Sequence, residues 1–366
     1  MLLNAQRLRR LKRDRERQTP RWTNFENRVN TVADSPERGF ELALYYAVTG
    51  DEERGKEAVK WSTAHVCDTR QAALVSNWTG ALRDGSAFVH GAEAPCVGVN
   101  KPAVAELRDR VFAAIAHGQP CDLDWGRKAV RLLREGAYRD PKELYAGAEL
   151  LYAMKTATRT DLREEAPEFF AALPTLLLLG LKPQQAEHPD WVTHIAALAL
   201  VELDPNGHGS QFLQGWALEE RQMLHDGPGV AYEFFWADPY LPGVGYQNLD
   251  PWAFDADTGT LVARTDWSPA SCWIRIAPEG IESQQCPAGW QRQPMTFGGL
   301  QLLPMAGKCI DLPRQQPQHT VIVSKLTAGQ KIRYDDSGKE GQTGQALSTG
   351  LWRVPGNASG RVCAIR

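Results

Sequence analysis

The chain has 366 residues, of which 43% are hydrophobic and 23% are charged, and its formal net charge is −3. This length gives room for two domains with an ample core, and the composition excludes collagenous, coiled-coil and intrinsically disordered chains. The near balance of 41 basic and 44 acidic residues gives no electrostatic reason to expect nucleic acid as a partner.

The amino-terminal segment is strongly basic. It holds seven basic residues between Arg7 and Arg17, with Leu8 and Leu11 as an apolar edge. This pattern predicts a first helix whose charged side chains are solvated, and a nucleic-acid-binding arm is the alternative. The segment lacks the apolar core of a signal peptide. These residues therefore carry no recognisable export signal.

Helical periodicity runs through the first two-thirds of the chain. Residues 40–49 are rich in helix formers, Gly50 provides a stop, and Asp51 provides an N-cap for a second helix. Further amphipathic segments follow at 103–117, 125–134, 143–155, 162–179 and 191–203. The longest apolar run, 173–181, is far shorter than the roughly 20 residues that cross a bilayer. It predicts a buried segment and no membrane span.

Near residue 226 the composition changes. Glycine and proline become frequent, and helical periodicity stops. Short runs with β-branched and aromatic residues follow at 260–264, 272–276, 299–303, 320–323 and 331–334. Helices followed by strands predict an α+β multidomain fold, with a helical domain in 1–235 and a small antiparallel β domain in 246–366.

Seven cysteines are scattered along the chain. They are Cys67, Cys96, Cys121, Cys272, Cys286, Cys309 and Cys363, with no C-x-x-C pair. Their odd number permits up to three disulfides and one thiol. If the protein is exported, Cys272, Cys286 and Cys309 are the first pairing candidates, because they fall in one short strand-rich region; buried reduced thiols are the alternative.

Motifs for metals and cofactors are missing from the sequence. It contains no H-E-x-x-H, no G-x-S-x-G and no glycine-rich loop between a strand and a helix. We therefore expect no metal and no cofactor.

Two segments resemble a known enzyme family. They are LALYYAVTGDEERGKEAVKW at 42–61 and DPWAFDADTGTLVARTDWSPASCWIRIAPEG at 250–280. They are similar to the early helical hairpin and the opening of the β domain in heparinase II/III-like and alginate-lyase-like polysaccharide lyases. The resemblance implies an (α/α) toroid-like helical domain followed by a β-sandwich-like domain. It also implies binding and β-elimination of an acidic, uronate-containing polysaccharide or oligosaccharide. Because the first residues of such proteins usually follow a signal peptide, the resemblance further implies a secreted or periplasmic protein whose signal peptide precedes Met1, with a cytoplasmic location as the alternative.

Elimination at a uronate needs a group that neutralises the carboxylate, a base for the C5 proton and an acid for the leaving oxygen. His194 lies three residues after Trp191, so the two share a helical face. They are predicted to form a proton donor beside a sugar-binding platform. For His194, packing inside the helical domain is the alternative.

The stretch 206–252 is the richest in polar and aromatic residues, and it crosses between the two predicted domains, where ligand clefts are common. Tyr232 and Tyr246 are the predicted acid or base. The predicted substrate ligands are Trp236, Tyr240, Asn248 and Arg264. Interdomain packing is the alternative for each, and Arg264 can pair with Asp255 or Asp266.

Asn77 and Trp78 form a further amide–aromatic pair, predicted to line the cleft. The alternatives are a glycosylation sequon, Asn77-Trp78-Thr79, and a core position for Trp78.

Two other functions remain open. One is a glycoside hydrolase with two catalytic carboxylates, for which the candidates are Glu233 with Asp238, or Asp204 with Glu219 or Glu220. The other is a non-catalytic glycan-binding or scaffold protein, because the family's catalytic motifs are not found. The sequence does not indicate an oligomeric state.

Overall fold

The computed structural model of the protein describes residues 2–82, 103–305, 309–312, 319–324, 331–335, 345–348, 351–354 and 361–365. The chain forms two compact units. The helical unit consists of Met1–Pro174 and Pro189–Val244, and the β unit consists of Thr175–His188 and Gly245–Arg366. The segment Thr175–His188, which the sequence analysis assigns to the helical domain, thus belongs to the β unit.

Thirteen α-helices lie in the described part of the chain. They are α1 Ala5–Glu16, α2 Pro20–Thr31, α3 Arg38–Thr49, α4 Glu52–Ala64, α5 Thr69–Trp78, α6 Ala103–Ala116, α7 Leu123–Arg134, α8 Pro141–Thr158, α9 Pro167–Gly180, α10 Pro183–Glu187, α11 Trp191–Leu203, α12 His208–Ala217 and α13 Gly229–Trp236. Among them, none is long and apolar enough to cross a membrane.

The predicted hairpin of α3 and α4 is present. Gly50 ends α3 with a φ of 79°, a left-handed conformation that glycine adopts without strain. The Asp51 side chain then accepts hydrogen bonds from the backbone N–H groups of Glu53 and Arg54 at the start of α4. A stop signal followed at once by an N-cap therefore produces a tight helix–turn–helix.

The sequence analysis expects helical periodicity to stop near residue 226, but the chain forms a further α-helix after that point. Helix α13 begins at Gly229 and ends at Trp236, and every one of its residues is buried. A helix buried on all sides has no polar face, so its sequence shows no amphipathic period. The neighbouring glycines and prolines conceal it further.

The twelve strands of the described residues are β1 Trp252–Asp255, β2 Thr260–Arg264, β3 Trp273–Ala277, β4 Gly280–Gln284, β5 Met295–Phe297, β6 Leu300–Met305, β7 Cys309–Asp311, β8 His319–Ser324, β9 Lys331–Asp335, β10 Gln345–Ser348, β11 Leu351–Val354 and β12 Arg361–Ile365. They form three sheets, in the orders β1-β2-β3-β4, β10-β11-β8-β6-β5 and β7-β12-β9. All five predicted strands are present.

The described pairs are antiparallel except one, since β6 runs parallel to β8. The chain therefore has an α+β fold with mainly antiparallel sheets. The apolar core of the β unit includes Leu261, Ile274, Phe297 and Leu300.

The predicted disulfide region does hold disulfides. Cys272 is bonded to Cys286, whereas Cys309 is bonded to Cys363, which lies opposite it on the neighbouring strand. The alternative of reduced thiols is therefore wrong for these four cysteines. Cys121 is a free thiol.

Two basic residues of α1 are buried, which corrects the prediction of a fully solvated helix. Arg7 and Arg10 are only 3% and 4% exposed. Their guanidinium groups donate to the two carboxylate oxygens of Glu202, over 2.9 and 2.7 Å, and Arg10 also pairs with Asp238 over 2.9 Å. A guanidinium with several acidic partners can be buried because its N–H groups and its charge are both compensated.

We expect Arg10→Ala to lower the free energy of unfolding by about 3 kcal/mol, because it deprives Glu202 and Asp238 of a buried cation. Urea denaturation followed by circular dichroism measures this loss. The matched control is Arg9→Ala, which removes an exposed arginine of the same helix and should change stability by about 0.5 kcal/mol or less. Equal losses in the two variants would contradict the role given to Arg10.

Candidate functional site

A cavity of about 590 Å³ lies in the helical unit. This volume is in the range of small-ligand sites. Its charged lining residues are Glu37, Asp68, Arg70, Arg108, Asp109 and Lys142, its aromatic ones are Tyr145, Trp191 and Tyr232, and the others are Cys67, Ala105, Val192 and Ile195. The cavity thus combines apolar walls with a concentrated set of polar groups.

Arg70 is the centre of the polar wall. It is carried by α5 and is buried. Its Nε and Nη2 donate to the two carboxylate oxygens of Glu149, over 2.9 and 2.6 Å. Its Nη1 donates to the Tyr232 hydroxyl over 2.7 Å and to Glu37 over 3.2 Å. The fork of the guanidinium therefore fixes Tyr232 and Glu37 relative to α8, which carries Glu149.

Glu149 is fully buried behind this wall. It also accepts hydrogen bonds from Arg108 over 2.9 Å and from the Tyr145 hydroxyl over 2.7 Å. Burial acts to raise the pKa of Glu149, but Arg70 and Arg108 outweigh it and hold this pKa below its ordinary value. Glu149 therefore stays ionised and holds both arginines in place.

Tyr232 lines the cavity but is only 1% exposed, and both its ring and its hydroxyl have close partners. Its ring is stacked on Phe40, with centroids 4.4 Å apart, and on Trp191, with centroids 6.1 Å apart. Its hydroxyl donates a hydrogen bond to Glu37 and accepts one from Arg70. Burial raises the pKa of Tyr232 well above 10, and the negative charge of Glu37 adds to this while Arg70 opposes it. Tyr232 therefore stays protonated near neutral pH, which disfavours the base role that the sequence analysis left open.

The pKa of Glu37 shifts in the opposite direction to that of Glu149. Burial raises the pKa of Glu37 above its ordinary value, although Arg70 and the Tyr232 hydroxyl both act to lower it. A carboxyl group whose pKa is raised towards neutrality is suited to exchange protons with a substrate. Glu37 and Tyr232 therefore form a hydrogen-bonded acid–base pair in the cavity wall.

Two of the predicted site residues, Trp191 and Tyr232, line this cavity together. His194 is fully buried outside its lining, where Nε2 is hydrogen-bonded to Glu233. Glu233 also pairs with Arg21 over 2.6 Å. These surroundings are those expected if His194 serves to pack the inside of the helical domain, which is the alternative prediction. Its catalytic role stays a prediction.

The other predicted residues of the helical unit lie outside the described lining. Asn77 is exposed in the last turn of α5, and Trp78 packs against Phe40 and Phe235. Trp236 is buried, and its Nε1 donates to the Tyr145 hydroxyl over 3.0 Å. Tyr240 is 54% exposed.

Three predicted residues belong to the β unit. Tyr246 is buried with its ring edge-on to Trp267, and Asn248 is exposed. Arg264 is fully buried, with its guanidinium 4.2 Å from the Trp267 ring and its Nε donating to the backbone carbonyl of Asp266 over 2.9 Å. Burial lowers the pKa of Arg264 to about 10, against the opposing effect of Asp266. Arg264 thus contacts Asp266, one of its two predicted partners, through the main chain.

Three of the carboxylates suggested for a hydrolase form ion pairs outside the described cavity lining, and Asp204 also lies outside that lining. Glu233 is paired with Arg21 and His194, and Asp238 with Arg10. Glu219 accepts from Arg221 over 2.7 Å, and the side chain of Glu220 lies outside the described residues.

Sequence reasoning missed most of the cavity's polar residues, such as Glu37, Arg70, Arg108 and Tyr145, and also Glu149 behind them. One signal was available. Glu149 is the single charged residue in the apolar run 144–154, and Tyr145 lies one helical turn before it. A lone carboxylate inside an apolar helix must be buried and must therefore have a cationic partner.

A comparison with family models and with curated proteins finds no match for this chain. The likeness to heparinase II/III-like and alginate-lyase-like enzymes therefore stays a prediction from sequence. Within the described residues, no group of three or more histidine, cysteine, aspartate and glutamate side chains is placed to hold a metal ion.

We expect the Glu37 carboxyl group to titrate above the ordinary glutamate pKa, because burial disfavours its charged form. Carboxyl ¹³C chemical shifts, assigned with Glu37→Gln, measure this pKa. Tyr232→Phe removes a hydrogen bond to the carboxylate and should raise the pKa of Glu37 further. Glu57 is the internal control, because Arg38 and Arg54 outweigh its slight burial and lower its pKa. A pKa of Glu37 at or below that of Glu57 would contradict this site description.

Proposed function

We propose that this protein binds a uronate-containing polysaccharide in the cavity of the helical unit and cleaves it by β-elimination. The observation that carries the proposal is the Tyr232 hydroxyl, held between Glu37 and Arg70 in a cavity that Trp191 also lines. An acid, a base and an aromatic surface thus meet in one space of suitable size.

Trp191 supports sugar binding. Its ring is partly exposed and lines the cavity next to the apolar side chains of Val192 and Ile195. Sugar rings have apolar faces that pack on aromatic rings, while the surrounding polar groups accept and donate hydrogen bonds to sugar hydroxyls.

Arg108 and Lys142 support the recognition of a substrate carboxylate. Arg108 donates three of its N–H groups to Glu149 and Asp109, and a guanidinium has five. Lys142 is exposed where it lines the cavity. These cations would neutralise the uronate and stabilise the negative charge that grows on it as the C5 proton leaves.

The residues of the cavity account for both proton transfers. The Glu37 carboxylate takes the C5 proton, the electron pair of the broken C–H bond forms a C4–C5 double bond, and the bond from C4 to the glycosidic oxygen breaks. The Tyr232 hydroxyl gives its proton to that oxygen. Glu37 then returns a proton to the Tyr232 oxygen through their hydrogen bond, which restores the starting state.

A glycoside hydrolase is the second candidate, and the raised pKa of Glu37 favours it. In such an enzyme Glu37 would be the general acid, and a second cavity carboxylate, Asp68 or Asp109, would be the base or nucleophile. These carboxylates differ from the pairs suggested by the sequence.

The finer fold and the location are part of the proposal. We assign the helical unit to the (α/α) toroids and the β unit to the β-sandwiches; the packing of α3 on α4, of α5 on α6 and of α8 on α11 supports the first assignment. The disulfides support a location outside the reducing cytoplasm, either secreted or periplasmic.

Incubation with alginate, pectate and heparin tests the function. A lyase gives an unsaturated uronate product that absorbs in the ultraviolet, and this is the expected result. New reducing ends without this absorbance would show hydrolysis instead. Binding without either product would show a non-catalytic glycan-binding protein and contradict the proposal.

We expect Tyr232→Phe to lower kcat by about 100- to 10,000-fold with little change in KM, because it removes only the proton donor and keeps the stacked ring. Tyr152→Phe is the matched control, since Tyr152 is a partly buried tyrosine outside the described lining whose hydroxyl accepts a hydrogen bond from Asn4. Wild-type activity should rise with pH through the raised pKa of Glu37, because the base must be deprotonated. Wild-type kcat in Tyr232→Phe would contradict the mechanism.

A further inference from the structure

A second charged feature lies on helix α1, outside the described cavity lining. Arg9, Lys12, Arg13 and Arg17 are exposed and project from one side of the helix, opposite the buried Leu11. Arg9, Arg13 and Arg17 follow one another at intervals of four residues, or about 6 Å along the helix axis. With Tyr240, these four residues form what we call the α1 basic surface.

The cations of the α1 basic surface are not used in ion pairs with the described residues. Other exposed cations of the helical unit do form ion pairs. Lys56 pairs with Glu53, Arg110 with Glu106, and Arg127 with Asp124. Like charges one helical turn apart repel each other and weaken a helix. The charges of this row therefore remain available to an anionic ligand, which points to a role in binding.

Tyr240 adds a fixed aromatic ring to this row. It is a large hydrophobic side chain that remains half exposed. Its hydroxyl accepts a hydrogen bond from Arg17 over 2.9 Å, and the Arg13 guanidinium lies 4.9 Å from its ring centroid. Its backbone N–H donates to Asp238, which is itself anchored by the buried Arg10. The ring is thus held at the surface between two cations.

We propose that the α1 basic surface binds a linear acidic polysaccharide at a site separate from the cavity. A row of evenly spaced cations complements a chain with a regular repeat of negative groups, and the exposed ring of Tyr240 offers a stacking surface for a sugar. Nucleic acid is the other linear polyanion with regularly spaced negative groups, and its binding is an outcome of the test below. A membrane surface fits less well, because the apolar face of α1 is buried in the protein and cannot enter lipid.

Binding of long-chain alginate to the full chain, measured by biolayer interferometry at several salt concentrations, tests this site. The test variant is Arg9→Ala/Lys12→Ala/Arg13→Ala. The control variant, Lys60→Ala/Lys128→Ala/Arg131→Ala, removes three exposed cations from α4 and α7 and gives the same net charge. We expect the test variant to bind about tenfold more weakly at low salt, with a shallower salt dependence, and the control variant to bind as the wild type does.

Three further measurements complete the test. Tyr240→Ala should weaken alginate binding without a change in salt dependence. Cleavage of a short oligosaccharide should be the same in wild type and test variant, which separates this site from the cavity. Equal loss of binding in the test and control variants would overturn the proposal. Preferential binding of a DNA duplex or of phosphatidylserine vesicles over alginate would overturn it as well.

Discussion

The helical unit depends on buried glutamates that are each held by arginine. Glu41, Glu149 and Glu233 are almost completely buried within apolar stretches of α3, α8 and α13. Their partners are Arg28 for Glu41, Arg70 and Arg108 for Glu149, and Arg21 for Glu233; Arg7 and Arg10 hold Glu202 in the same way. A buried carboxylate is tolerated only with such compensation, so these pairs specify which helices can pack together.

The same interaction produces the candidate site. Glu149 is bound by two arginines and keeps a lowered pKa, whereas Glu37, at the far end of the Arg70 guanidinium, has a raised one. One arginine therefore connects an ionised structural carboxylate to a carboxyl group that can exchange protons. Two carboxyl groups whose environments separate their pKa values are the usual arrangement of an acid–base site. In this molecule the separation arises because Glu149 has two arginine partners, Arg70 and Arg108, whereas burial of Glu37 outweighs the effect of Arg70 alone.

Local signals explain which features the sequence predicts correctly. Gly50 and Asp51 set the α3–α4 hairpin within a few residues, and β-branched and aromatic residues between turn residues predict strands such as β2 and β3. The cavity is different, because Arg70 and Glu149 are 79 residues apart, and Arg21 and Glu233 are 212 residues apart. No local sequence pattern predicts which residues form pairs over such distances. For the same reason the arginine-rich first helix is predicted to be solvated, because the carboxylates that pair with its buried Arg7 and Arg10 lie far away in the sequence.

A double-mutant cycle on Arg70 and Glu149 tests the central claim most directly. The variants are Arg70→Met, Glu149→Met and the double variant, and urea denaturation gives the free energy of unfolding of each. We expect each single variant to lose about 3 to 5 kcal/mol, because it leaves a buried charge without its partner. The double variant should lose less than the sum by about 2 kcal/mol or more. Additive losses, within about 0.5 kcal/mol, would show that the two residues do not depend on each other and would contradict the account.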